Sequence, residues 1–220
     1  MFRYNINKIR GEEDMKHHRL DNLEMAKKRN HKILITKEAI NKVPYIEYRE
    51  IPSEEYEIIY KLTKQVLELS KEENDSNEVA ITYSFDSDKV LAQEEVVGIQ
   101  FGDEHSVNPL ADAVTYHLIM SSKECMVVSM HNHPSLSLVS VADIRFFLQY
   151  GSIRLLIIVT NLGSISYLVK SKKFDYKKAV KLLNQTIQKY NEASDLKGYQ
   201  EATKFFIKNC YKAGIIYEDK

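Results

Sequence analysis

The chain has 220 residues, and its 31 Lys and Arg balance 31 Asp and Glu, so the formal net charge is zero. That length suits one compact domain with or without appended helices, and a hydrophobic share of 44% is enough for a buried core. The charge balance removes the main electrostatic argument for a dedicated nucleic-acid binder, while leaving room for a local basic face.

Cys125 and Cys210 are too few for a disulfide framework or a Cys-rich metal module. No apolar run approaches the roughly 18 residues that crossing a bilayer takes. The stretch MFRYNINKIRGEEDMKHH lacks the apolar segment of a secretory signal. A cytoplasmic protein with no membrane partner is the expectation.

In chain order, residues 1–52 read as a polar extension in which His17, His18 and His31 are surface bystanders rather than ligands, and 31–36 reads as an edge strand. Ile58, Ile59, Leu62, Val66 and Leu69 recur at helical spacing over 53–71, with Ser53 as cap and Glu54 and Glu55 in the first turn. Residues 79–85 alternate as a strand that ends at Asp86-Ser87-Asp88, and 89–92 and 95–101 extend the sheet. A helix follows over 108–122, then a short central strand over 124–130, a loop HNHPSLSLV and a helix over 141–150. The run IRLLIIVT, 153–160, reads as a buried strand that Asn161-Leu162-Gly163 turns into a partner over 164–169. Two amphipathic helices, 175–193 and 198–213, close the chain. This order predicts an α/β fold: a mixed β-sheet flanked by helices over 53–170, with extra N-terminal helices and a helical extension at 171–220.

The chemistry concentrates in SMHNHPSLSLVSVADI, 129–144. Residues i and i+2 of an extended chain point to one side, so His131 and His133 can converge on one ion as the chain leaves the strand. Pro134 fixes the backbone there. Asp143 falls in the first turn of the next helix. Two imidazoles and a carboxylate are the protein ligands of a catalytic Zn2+ site whose fourth position stays open. Ser140-x-x-Asp143 also matches an N-terminal capping box, which is purely structural, and the two readings are compatible.

The joint pattern H-x-H-P followed by S-x-x-D resembles the JAMM (Jab/MPN) zinc metalloprotease motif, and HNHPS with S-x-x-D-I looks most like its bacterial RadC-like branch. The resemblance covers about residues 78–170. It implies a three-layer arrangement of the cytidine-deaminase-like kind, with zinc on His131, His133 and Asp143 and with Ser140 stabilising an oxyanion. It also implies an upstream Glu that holds water and moves its proton. Glu78, at the start of EVAITYSFD, fits that place; Glu95, before VVGIQFG, is the alternative. The implied activity is hydrolysis of a peptide or isopeptide amide bond, with a peptide or ubiquitin-like protein as substrate. The alternatives are a non-catalytic interaction module of the same fold and a RadC-like DNA-associated protein. One departure is visible: five residues separate Pro134 from Ser140 where the family usually has six, and the loop SLSLV lacks the Gly and Pro of the RadC-like run.

Outside the motif, His105 in GDEHSVNP reads as a loop residue near the site, His117 as packed or half-exposed on its helix, and Cys125 as a small core residue. The run Lys170, Lys172, Lys173, Lys177 and Lys178 reads as a solvated loop and helix start.

Overall fold

The structure is a computed structural model that describes residues 32–86, 96–137, 139–193 and 196–220. The chain divides into two units, Met1–Lys32 and Ile33–Lys220, and every element below belongs to the second. The readings made for His17, His18 and His31, for 89–92 and for Glu95 lie outside the described residues.

The helices are α1 (Lys37–Lys42), α2 (Tyr56–Glu73, entered through a 3-10 turn at Ser53–Glu55), α3 (Ala113–Ser121), α4 (Val141–Gln149), α5 (Tyr176–Glu192) and α6 (Leu196–Asn209). The strands are β1 (Val79–Ser84), β2 (Val97–Phe101), β3 (Val127–His133), β4 (Ile153–Thr160), β5 (Ile165–Lys170) and β6 (Ile215–Asp219). They form one sheet in the order β2-β1-β3-β4-β5-β6. β3 and β4 run parallel, and the other four neighbouring pairs are antiparallel.

Alternation along each strand splits the core into two layers. Ile81 and Tyr83 of β1, Val128 and Met130 of β3, and Leu155, Ile157 and Val159 of β4 pack with Ile40 of α1 and Ile59, Leu62 and Val66 of α2. Val127 of β3 and Leu156 and Ile158 of β4 face the other way, onto Ile119 of α3, Ile144 and Phe147 of α4, Ala179 of α5 and Phe206 of α6. Both sheet faces are therefore covered. This is why residues 155–159 of β4 are an unbroken apolar run rather than an alternating one. The mixed sheet with a helical layer on each side is the expected α/β architecture. No helix among the described residues is long and apolar enough to cross a membrane.

Several local expectations change. Residues 33–51 are not a polar extension: Ile35, Ala39, Ile40, Val43, Ile46, Tyr48 and Ile51 are buried, and their irregular spacing hides them from a periodicity search. The segment before α1 joins no ladder, although Ile33 N–H donates to Pro134 O. Ser53 makes no capping bond, because the 3-10 turn moves the helix start past it. The C-terminal segment is part of the domain, since β6 extends the sheet through β5 and α5 and α6 cover its second face. The turn after β4 requires Gly163: its φ is +90°, and a Cβ there would collide with the carbonyl oxygen of Ala39.

Candidate metal centre

β3 continues through Asn132 and His133 instead of ending at Met130, so the two histidines lie within the strand and not in the loop after it. The polar triplet HNH is tolerated there because each of its side chains has polar partners on its own face. Period-two alternation sends both imidazoles to the α4 side and Asn132 to the α2 side. Both histidines are buried. They stand at the carboxyl end of the parallel β3–β4 pair, where open α/β sheets place their ligands.

Asp143 reaches the same point from the first turn of α4. Ser140 is the N-cap: its Oγ accepts the Asp143 N–H at 3.2 Å, and the Asp143 Oδ2 accepts the Ser140 N–H at 2.6 Å. The capping box and the ligand constellation thus coexist in one carboxylate. With five residues between Pro134 and Ser140, Asp143 arrives beside the histidines.

The donor atoms converge. His131 Nε2 lies 3.1 Å from His133 Nε2 and 3.2 Å from Asp143 Oδ1, and His133 Nε2 lies 3.5 Å from Asp143 Oδ2. Ligand bonds of about 2.0–2.1 Å at tetrahedral angles put neighbouring donors about 3.3–3.4 Å apart. The His131–His133 and His131–Asp143 Oδ1 separations are near that value, and with one donor atom from each residue all three lie within 4.8 Å of one another. The side chains are 8, 8 and 11% exposed, so the three groups are largely withdrawn from solvent. His133 Nδ1 lies 2.8 Å from Ser137 O. Only a protonated nitrogen can donate to a carbonyl, so this contact puts the proton on Nδ1 and leaves the Nε2 lone pair for an ion. Among the described residues this is the group that could hold a metal ion.

The charges follow from the crowding. Burial opposes ionisation of Asp143, but His131, His133 and the bond from Ser140 outweigh it and hold the carboxyl well below the usual range. Burial likewise disfavours protonation of His131, yet the Asp143 carboxylate outweighs it and raises the imidazole above its ordinary value.

Glu78 immediately precedes β1, and its carboxyl is coupled electrostatically to His131 and Asp143. Burial pushes it up to about 7; His131 and a bond from the Val107 backbone pull down, while Asp143 and Asp103 push further up. Its backbone is clamped on the β2 side, where Glu78 N–H donates to Asp103 O at 2.9 Å and Gly102 N–H donates to Glu78 O at 2.8 Å. A carboxyl poised near neutrality in the field of the His131 imidazole can both accept and return a proton. Ser140 is half-buried, and accepting through its oxygen leaves its own O–H able to donate.

The remaining expectations fare as follows. His105 is exposed, in a loop folded by its own Asp103, whose Oδ1 accepts the N–H groups of His105 and Ser106. His117 is exposed on α3 rather than packed. Cys125 is half-buried with φ +58°, at the bend into β3. Lys170 is not solvated: it is buried, donates to Tyr150 O at 2.7 Å and lies over the rings of Phe147 and Phe174. Sequence reasoning missed Asn132 and Asn161, two buried amides behind the histidines. The only local signal for Asn132 is its position between two residues that share a face.

No protein-family model, curated protein or solved structure matches the chain.

Proposed function

We propose that the chain is a zinc-dependent hydrolase of the JAMM type that cleaves a peptide or isopeptide amide bond, with a peptide or ubiquitin-like protein as substrate. The observation that carries this reading is the convergence of His131 Nε2, His133 Nε2 and the Asp143 carboxylate at 3.1, 3.2 and 3.5 Å. Two imidazoles and a carboxylate are a favoured donor set for catalytic zinc. Zinc held there supplies Lewis acidity, which makes water nucleophilic near neutral pH and polarises a carbonyl.

The chain's own residues supply the rest. Glu78, with its carboxyl raised to about 7, takes a proton from the attacking water and returns it to the leaving amine. Ser140 donates its hydroxyl proton to the developing oxyanion, a contribution worth about 3–4 kcal/mol where such donors have been removed. The buried histidines and Asp143 keep bulk water from competing for the site. The match of HNHP and S-x-x-D to the RadC-like branch of that family supports the same chemistry.

The test combines elemental analysis with hydrolysis of a panel of internally quenched peptides and isopeptide-linked conjugates. The unsubstituted protein should carry about one zinc per chain and cleave at least one member. Glu78→Ala should keep the zinc and lose turnover, and His131→Ala should lose both. Absence of stoichiometric zinc, or undiminished hydrolysis by Glu78→Ala, rules out the proposal as stated.

A further inference from the structure

The strand that presents the two histidines carries a second polar array on its reverse side. Asn132 is fully buried, and alternation turns its amide away from the imidazoles. Pairing between β1 and β3 runs from Ser84–Val127 to Ala80–His131. One step further on, the side chain of Asn132 takes over: its Oδ1 accepts the Val79 N–H at 2.7 Å. Its Nδ2 reaches Asn161 Oδ1 at 2.8 Å, and Ser70 Oγ and Asn77 O at 3.1 Å.

Asn161, also fully buried, completes the array from the end of β4. Its Nδ2 donates to Ile33 O at 2.7 Å and to Ser76 O at 2.9 Å, and its backbone N–H donates to His133 O at 3.1 Å. The two amides therefore grip residues 76–79 from the same strand pair that carries the ligands. Glu78 sits inside that gripped segment. On its other side, its backbone is held by Gly102 and Asp103. Two buried amides next to an apolar layer are costly unless every polar atom is satisfied, and a satisfied network fixes one register.

We propose that Asn132 and Asn161 are positioning residues for Glu78. Their paired amides fix the distance between the segment bearing the carboxylate and the strand bearing His131 and His133. Proton transfer tolerates little misplacement, since about 1 Å costs roughly a hundredfold in rate. The role assigned to Glu78 rests on the hydrolase reading above; the amide grip on 76–79 does not.

The experiment uses the full chain, with Co2+ as the probe. Cobalt bound by the unsubstituted protein gives a visible absorption band that Glu78→Gln should shift if, as the hydrolase reading requires, that carboxylate serves the open coordination position. Asn132→Ala should shift the band in the same direction, and the Asn132→Ala/Glu78→Gln pair should match Glu78→Gln alone. In the metal-free protein, amide exchange at Val79 should accelerate at least about tenfold in Asn132→Ala while β4 and β5 exchange as before. Where Asn132→Ala does not fold, Asn161→Ser gives the same two readouts. A lowered Tm with an unshifted cobalt band makes the amides merely structural and overturns the proposal. So do additive band shifts, or unchanged exchange at Val79. Cobalt that fails to bind the unsubstituted protein overturns the hydrolase reading first, and the positioning role with it.

Discussion

The Nε2 atoms of His131 and His133 face each other at 3.1 Å, with Asp143 Oδ1 3.2 Å from the first. Two neutral imidazoles cannot both present lone pairs at that distance without repulsion; a proton or a cation between them removes it. Without an ion, the Asp143 carboxylate favours protonated His131.

Metal-free protein should therefore be most stable in mildly acidic solution. His131 is raised in the folded state, so its contribution is complete below its unfolded value of about 6.5 and is lost as pH rises through the folded value. Asp143 is lowered, so its contribution is complete above about 3.8 and is lost as pH falls through its folded value. Thermal scans after chelator treatment should show Tm falling as pH rises above about 6.5 in the unsubstituted protein, and a smaller fall in His131→Ala. Zinc at a hundredfold excess over its Kd should restore about 2.7 kcal/mol at pH 8 in the unsubstituted protein and nothing in His131→Ala.

Ser140 serves α4 and the centre together. Ser140→Ala removes the acceptor for the Asp143 N–H but keeps the backbone N–H that holds Asp143 Oδ2. The expected outcome is a loss of about 1 kcal/mol in urea unfolding, zinc content unchanged, and hydrolysis lowered about 100- to 1000-fold. Loss of zinc in Ser140→Ala would show that the cap, and not the backbone bond, orients the carboxylate.

Lys170 gives the opposite pH signature at alkaline pH. Burial pushes its ammonium down to about 8, against nearby Cys125 and Glu124, which favour the charge. The unfolded chain, near 10.5, then binds more protons than the folded one between these values, so stability rises with pH across that window. The stability difference between the unsubstituted protein and Lys170→Met should grow in favour of the former by up to about 3 kcal/mol from pH 7.5 to pH 10.5. A difference independent of pH would mean that Lys170 keeps its ordinary proton affinity in the fold and stays charged across that window.

Gly163→Ala should destabilise the β4–β5 turn by about 1–3 kcal/mol. It places a Cβ at φ +90° and against Ala39 O. Urea midpoints should fall with the denaturant slope unchanged.

The elements legible in the sequence are those whose cause is local. LLIIV within IRLLIIVT is apolar without alternation because both sheet faces are covered there, and 153–160 is a strand over the expected residues. Ser140-x-x-Asp143 marks the start of α4 because a capping box needs only its own four residues. His131 and His133 were legible as a pair, but their place inside β3 depends on partners far away in sequence: Asp143 on one face, and Ser70, Asn77 and Asn161 on the other. The contributions of Ile35, Tyr48 and Ile51 follow no helical or strand period, so nothing in their spacing announces a core segment. Lys170 reads as one member of a basic run, and only its carbonyl partner at Tyr150 and the rings of Phe147 and Phe174 explain its burial.

The opposed facing of His131 and Asn132 also limits how a gene for this chain can drift. Inserting or deleting a single codon within β3 ahead of His131 would exchange the two sides, driving the imidazoles into the layer of Ile59 and Val66 and the amide toward Ile144. Single-residue insertions and deletions are thereby closed to that strand. Length variation is left to the connection between Pro134 and Ser140.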